Sequence, residues 1–366
     1  MTEKARAAVM KEYGKPLEIE EYPLPEPEEG CLLAKIEAAG VCGADLNMWR
    51  GTDLRIRCPI ILGHEGVGRV HAIGGDKKDL FGQSLAVGDA IVWDRGIVCG
   101  KCHFCLNVRE RSLCPERRVY GISYSSKDYP HLLGNFAQFI YLFPQTNVVK
   151  LAGGIRPEVI VPATCSGATI AHAFDLERPS VGDSVVVQGP GPIGLFAVAF
   201  ARKSGADKII LVGSHGDEKR LGLAKEFGAD YTLTTEETTL DQRVKFVKDI
   251  TGNVGADFCI ECTGSTVAVE EGVKMIRRGG TYVVVGLAAP SSSPVRLDGF
   301  REITQKQVLI RGSWASETRH LIQALRVVES GEFPFEKMIK KFSLDQATEA
   351  LESIARHEVT KAVLIP

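Results

Sequence analysis

Ser184-Val185-Val186-Val187-Gln188-Gly189-Pro190-Gly191-Pro192-Ile193-Gly194-Leu195 is the stretch that decides the fold. A β-branched apolar run gives way to a Gly-x-Gly-x-x-Gly turn, and the turn to an apolar stretch of helical character. Gly189 permits the tight turn, Gly191 lets the backbone approach a pyrophosphate, and Gly194 lets the helix pack close to the strand. The N–H groups that open the helix then point at an anion. Such a motif carries weight only in context. Here a strand precedes it, a helix follows it, and a second strand is expected at 208–212, within about thirty residues. With Pro192 and Ile193, these glycines are the first candidate dinucleotide contacts.

Downstream, strands are expected at 209–212, 256–261, 281–285 and 308–311, alternating with helices. That alternation implies a parallel, doubly wound sheet with right-handed crossovers. Upstream, the chain is β-rich, with short segments expected at 7–11, 32–39, 66–73, 90–93 and 136–143. A last strand is expected at 361–365, after a helix start at Ser343 and Gln346 in capping-box spacing. The stretch 291–294 reads as a loop. At 366 residues the chain suits two domains: a β-rich domain over 1–160 with a cysteine lobe at about 95–118, a dinucleotide-binding domain over 161–312, and a C-terminal return over 313–366.

The formal charge of -2 and 44% hydrophobic residues offer no basic face for nucleic acid. Arg109, Arg111, Arg117 and Arg118 cluster near the lobe, but the overall balance speaks against a nucleic-acid-binding zinc module. The first residues lack an apolar core of signal-peptide length, and no run reaches the roughly eighteen apolar residues of a membrane helix. A cytoplasmic chain without a membrane partner is expected. Ten cysteines in such a chain indicate metal ligation or burial rather than disulfides. Cys31, Cys58, Cys259 and Cys262 read as buried strand residues.

Cys42, His64 and Cys165 are three soft donors. Two thiolates and an imidazole leave a zinc ion one open tetrahedral position, where a substrate oxygen could bind. Singly, each is as well explained by burial. Cys99, Cys102, Cys105 and Cys114 have the spacing Cys-x2-Cys-x2-Cys-x8-Cys, and four thiolates would close a structural zinc site. Because Cys114-Pro115 is similar to a ferredoxin ending, an iron–sulfur cluster is the competing reading.

The motifs Gly40-Val41-Cys42-Gly43, Gly63-His64-Glu65-Gly66, Val87-Gly88-Asp89 and Lys361-Ala362-Val363-Leu364 carry a resemblance. The chain resembles the zinc-dependent medium-chain dehydrogenase/reductase family of alcohol, polyol and threonine dehydrogenases. The resemblance implies a Rossmann domain inserted into a GroES-like catalytic domain, with the active site in the cleft between them and a homodimer or homotetramer. It implies that Cys42, His64 and Cys165 hold a catalytic zinc, with Glu65 in or near its shell and Asp45 orienting the His64 ring. It implies a structural zinc at Cys99, Cys102, Cys105 and Cys114, although the family's last gap is usually one residue shorter, and hence two zinc ions per chain. The activity implied is hydride transfer between a nicotinamide cofactor and a polar secondary alcohol or its ketone: a polyol, hydroxy acid or amino-acid-like substrate.

Two positions depart from the family's pattern. Members commonly relay the alcohol proton through a Ser or Thr two residues after the first zinc cysteine and a His further on. Here those positions are Ala44 and Asn47, and neither side chain can pass a proton. Water, the cofactor ribose or Glu65 would have to carry it. The alternatives are a reductase of a conjugated carbonyl or imine, which needs no such relay, and a catalytically silent nicotinamide-binding protein. Arg95, just before the lobe, would suit a substrate with a carboxylate or phosphate group, or would be an ordinary loop arginine.

The end of the second dinucleotide strand reads Val212-Gly213-Ser214-His215. NAD binding expects an Asp or Glu about twenty residues past the first glycine. Gly213 leaves room instead, Ser214 can donate to a phosphate, and His215 with Lys219 or Arg220 can add positive charge. NADP is therefore favoured over NAD, with Asp217 and Glu218 counting against it. Thr263 and Lys361 complete the expected cofactor contacts.

Overall fold

The computed structural model describes residues 3–53, 55–287 and 293–366. Ser291 and Ser292 of the expected 291–294 loop, and the first two residues of the N-terminal reading, lie outside them. The chain forms two compact units. One comprises Met1–Cys165, Glu317–Leu325 and Ile339–Pro366; the other comprises Ser166–Ser316 and Arg326–Met338. The segment 313–366 is thus divided between the two. No single helix among the described residues is long and apolar enough to cross a membrane.

The first unit is built on a seven-stranded sheet in the order Val148–Lys150, Ala90–Trp93, Glu65–Ile73, Leu32–Val41, Lys361–Ile365, Ile339–Ser343, with Phe139–Leu142 also pairing to Leu32–Val41. A smaller sheet joins Glu18–Pro23, Lys4–Met10 and Ile60–Ile61. Trp93, Phe136, Met10, Leu32 and Leu33 are buried in the core between them. Leu32–Val41 is the central strand. It lies antiparallel to Glu65–Ile73 with Gly40 opposite Glu65, and antiparallel to the last strand with Gly40 opposite Val363. The register therefore gathers residues some three hundred positions apart around Gly40. The Ser343–Gln346 capping box forms, and its short 3-10 turn runs into the helix Ala347–Ala355.

The second unit carries six parallel strands in the order Tyr231–Thr234, Lys208–Gly213, Ser184–Gln188, Ala256–Glu261, Ile276–Val284, Leu309–Gly312. This is the doubly wound order in which ligands bind where the winding reverses, here between Ser184–Gln188 and Ala256–Glu261. The polar, half-buried Tyr231–Thr234 gave no strand signal in the sequence. The strand expected from 281 begins at Ile276, because its start pairs with Ala256 before a register shift that takes up the intervening residues. Of the four cysteines read as buried strand residues, only Cys259 is one. Cys31 is buried just ahead of its strand, Cys262 lies just past one, and Cys58 is half-buried outside any strand.

Arg326–Met338 belongs with the second unit for an aromatic reason. Phe335 is buried, with its ring centroid 4.6 Å from Phe196 and 5.1 Å from Phe227, and Phe333 stacks on Phe227. Lys203 pairs with Glu332 at 2.6 Å beside this cluster. Phe335→Ala is expected to destabilise the second unit by about 3–5 kcal/mol, the cost of truncating a fully buried ring. Denaturant unfolding monitored by circular dichroism checks this; an unchanged midpoint contradicts it.

Candidate active site

The register at Gly40 assembles the first cluster. Cys42 follows the central strand and caps the helix Gly43–Trp49, His64 immediately precedes and Glu65 opens the strand Glu65–Ile73, and Cys165 follows the 3-10 turn Val161–Thr164. The ligand atoms of Cys42, His64, Glu65 and Cys165 all lie within 4.8 Å of one another. Cys165 Sγ is 3.4 Å from His64 Nε2, and the other ring nitrogen, Nδ1, is 3.2 Å from Asp45 Oδ1. Asp45 Oδ2 accepts the backbone N–H of Cys42 at 2.8 Å. One buried carboxylate thus fixes the ring of His64 and the backbone of Cys42.

Lys361, expected among the cofactor contacts, is instead buried against this cluster. Its Nζ donates to Glu65 Oε1 at 2.7 Å and to the Val41 carbonyl at 3.0 Å. Glu65 Oε2 is buried without a hydrogen-bond partner. It occupies the space opened by Gly40, where any β-carbon would collide with it. Burial pushes the Glu65 carboxyl up to about 7 against the pull of Lys361. At His64 burial is outweighed by the charges of Asp45 and Cys165, which raise the imidazole to about 10. Two thiols, an imidazole and an orphaned carboxylate oxygen packed this closely suit a bound dication, and the donor types are those of zinc.

The second cluster holds Cys99, Cys102, Cys105 and Cys114, again with all sulfurs within 4.8 Å. Cys102 and Cys105 are 3.5 Å apart, and Cys114 and Cys99 are 3.6 Å apart. A tetrahedron with zinc–sulfur bonds of about 2.3 Å has sulfurs about 3.8 Å apart, so this set also fits zinc. The backbone N–H of Lys101 holds the Cys99 thiol down at about 7, whereas burial lifts Cys105 to about 12.

In the second unit, Gly189 has φ +102°, and a β-carbon there would come within 2.6 Å of Thr263 Cγ2. A β-carbon on Gly194 would collide with the Gly189 carbonyl. By contrast, a β-carbon on Gly191 would meet nothing within 4 Å. That open side is the room a pyrophosphate needs. Gly191 caps the helix Pro192–Lys203, which has no acidic residue in its first turn, and its leading N–H groups lack intrahelical acceptors. Half-buried Pro192 and Ile193 sit there, and Thr263 is exposed beside Gly189.

The proposed phosphate partners are arranged less simply. Ser214, His215 and Lys219 are exposed. The Ser214 N–H and hydroxyl both donate to Asp217 Oδ2, at 3.0 and 3.1 Å, and buried Arg220 pairs with Asp217 Oδ1 at 3.1 Å. Arg220 is therefore turned toward Asp217, leaving His215 exposed in the loop and Lys219 exposed in the first turn of the helix Glu218–Glu226.

Sequence reading missed three residues. Arg117 lies with its guanidinium against Gly96, where a β-carbon would collide with it. Burial, with the charge of Arg95, lowers it to about 10. Arg95 is itself buried, and its Nη1 donates to the Thr164 carbonyl at 2.6 Å, one residue before Cys165. Gly40 had been noted only within a motif. Glu261, buried at a strand end, was read as part of a strand, although a charged residue closing the apolar run Phe258-Cys259-Ile260 was a signal.

Two family models match the chain: the alcohol dehydrogenase GroES-like domain over residues 28–153 and the zinc-binding dehydrogenase over 192–330. The chain is 32% identical over 366 residues to 5-exo-hydroxycamphor dehydrogenase of Pseudomonas putida, covering 98% of each. It is 32% identical over 378 residues to L-threonine 3-dehydrogenase of Pyrococcus furiosus, covering 100% of this chain and 99% of the relative. Among solved structures, an alcohol dehydrogenase of Thermotoga maritima aligns with a TM-score of 0.95 at 42% identity, covering 100% of both chains. A zinc-binding dehydrogenase of Sinorhizobium meliloti 1021, solved with NADP, aligns with a TM-score of 0.84 at 28% identity, again over 100% of both. The chain belongs to the zinc-dependent medium-chain dehydrogenase/reductase family and is an oxidoreductase of the alcohol dehydrogenase type.

Proposed function

We propose that the chain oxidises a polar secondary alcohol that also carries an oxyanion, or reduces the matching ketone, using NADP in preference to NAD. The observation that carries the catalytic part is the cluster of Cys42, His64 and Cys165 with the orphaned Glu65 Oε2. Zinc held by Cys42, His64 and Cys165 supplies a Lewis acid for the substrate oxygen. Asp45 keeps the His64 ring oriented for this, and the Lys361 contact restrains Glu65 close by. The four lobe cysteines hold a second, structural zinc. Elemental analysis is expected to give two zinc ions per chain, and mild chelation should abolish turnover before the protein unfolds, since only an open site exchanges easily. Protein without zinc, or with iron and sulfide, would overturn this assignment.

Arg95 and Arg117 support the oxyanion. Buried Arg95 and half-buried Arg117, which exchange charge interactions with Cys165, would suit a substrate carboxylate or phosphate beside the acidic Asp94 and Glu317 that already act on Arg117. For the cofactor, Gly213 in place of an acidic residue, exposed His215 and Lys219, and the NADP carried by the Sinorhizobium relative support NADP; Asp217 favours NAD. One assay series tests both parts: hydroxy acids, sugar phosphates and matched neutral alcohols, with each cofactor. Arg95→Leu is expected to raise KM for the anionic substrates by about tenfold or more beyond any loss on neutral alcohols, which share only the loss of the Arg95–Thr164 bond beside Cys165. Equal loss on both classes, or NAD preferred throughout, contradicts the reading.

Ala44 and Asn47 leave the proton without the family's usual hydroxyl. The exit falls to water, the cofactor ribose or Glu65. Ala44→Ser is expected to raise alcohol oxidation near neutral pH, by at most the roughly 100- to 10,000-fold of a positioned proton-transfer group. An unchanged rate in a folded, zinc-loaded variant would show that another route already suffices.

Two further parts of the reading concern assembly and place. Leu309–Gly312 is an edge strand, and the exposed Leu309, Phe300 and Trp314 near it favour pairing with a second copy as a homodimer, or a homotetramer built from it. Ten free cysteines, six in two metal-like sets and the other four buried or half-buried, favour the reducing cytoplasm.

A further inference from the structure

Glu261 ends the strand Ala256–Glu261 and is completely buried. Its Oε1 accepts three hydrogen bonds: the Thr263 N–H and hydroxyl, each at 2.5 Å, and the Gly264 N–H at 2.8 Å. Its Oε2 accepts the Gly286 N–H at 3.1 Å. No Lys, Arg or His forms an ion pair with it among the described residues. A buried carboxylate needs strong compensation, and here charge-assisted bonds from three backbone N–H groups and one hydroxyl supply it. The donors lie in two loops, one after each of two adjacent strands, so one side chain ties both loops to the sheet.

The first of those loops stands where the winding of the sheet reverses, which is where a doubly wound fold binds its ligand, and the second follows the adjoining strand. Glu261 is paired in register with Gln188, the residue before Gly189, and the Cys262 N–H bonds the Gln188 carbonyl at 2.9 Å. Thr263, doubly held by Glu261, places its methyl 2.6 Å from where a β-carbon on Gly189 would stand. A continuous chain of contacts therefore runs from the Glu261 carboxylate through Thr263 to the first glycine of the turn. Gly286 closes the other side, since a β-carbon there would collide with Gly264 N and Glu261 Oε2.

We propose that Glu261 is a positioning residue for the cofactor, setting the glycine turn through Thr263 so that the turn is shaped for a pyrophosphate before one binds. The proposal rests on the reading that the dinucleotide binds at 189–194. Glutamine at 261 would remove the charge and turn an N–H₂ group toward a backbone N–H, so the latch cannot close with its present geometry. Thr263→Val would keep a methyl against Gly189 and lose the hydroxyl's two bonds, the one it donates to Glu261 and the one it accepts from the Ser265 N–H.

The test measures NADPH and NADH binding to the zinc-loaded enzyme by fluorescence titration, without turnover, alongside zinc content and melting temperature. Glu261→Gln is expected to weaken binding of the preferred cofactor by about tenfold or more, with KM for that cofactor rising in step, kcat changing less and zinc content unaltered. Thr263→Val is expected to weaken binding by at least about threefold, and the double variant to bind no worse than Glu261→Gln, because one pathway is cut twice. Parent-like affinity in a folded Glu261→Gln variant, or strictly additive losses in the double variant, would overturn the proposal. Should Glu261→Gln fail to fold, parent-like binding by Thr263→Val does the same. A parent enzyme that binds neither cofactor overturns the dinucleotide reading itself, a result distinct from all of these.

Discussion

The contact between Glu65 and Lys361 is the constraint on which the first unit depends. Both side chains are buried, and they meet at 2.7 Å although 296 positions separate them in sequence. Removing one partner of such a pair leaves a buried charge and costs about 3–5 kcal/mol. The pair therefore does more than decorate a metal cluster. It requires the last strand to lie beside Leu32–Val41 in one register, and it requires glycine at position 40, because Glu65 fills the space a side chain would take. The strand that completes the sheet is thereby tied to the candidate metal cluster.

The two units solve a shared electrostatic problem in different ways. In the first, a buried carboxylate is met by one ammonium, and its second oxygen fills the space over Gly40 without a hydrogen-bond partner. In the second, the Glu261 carboxylate is met by backbone N–H groups and a hydroxyl. The first arrangement leaves an acceptor in hand for a metal or a proton. The second uses both oxygens and leaves a rigid corner. Each suits what the proposed function asks of its neighbourhood: an open metal site in one unit and a preshaped turn in the other.

How much could be read from the chain alone follows the range of the interactions. The glycine turn at 189–194 and the four lobe cysteines were legible because their partners lie a few residues apart and the spacing itself is the chemistry. Cys42, His64 and Cys165 are remote from one another, and single spacings do not pick them out; the motifs around them did. Lys361 was placed with the cofactor because a basic residue at a strand start gives no sign of which way it faces, and pairing with Glu65 is decided by register across Gly40. Tyr231–Thr234 was missed because a half-buried polar edge strand has little hydrophobic pattern to show. The division at Arg326 was hidden for a similar reason: Phe333 and Phe335 read as apolar residues of a tail, and only packing assigns them to Phe196 and Phe227.

That aromatic assignment bears on how such proteins can be recombined. The chain passes from one unit to the other at 165/166, back at 316/317, across again at 325/326 and back at 338/339. Neither unit is a contiguous stretch of gene. A chimera that exchanges only 166–316 for the corresponding part of a relative would set foreign surfaces against the native Phe333 and Phe335, and a fragment of 166–316 expressed alone would present Phe196 and Phe227 to water. Inheritance of cofactor preference by domain shuffling is thus constrained by a thirteen-residue passage remote in sequence from the glycine turn, and the natural unit of exchange is a pair of segments that must travel together.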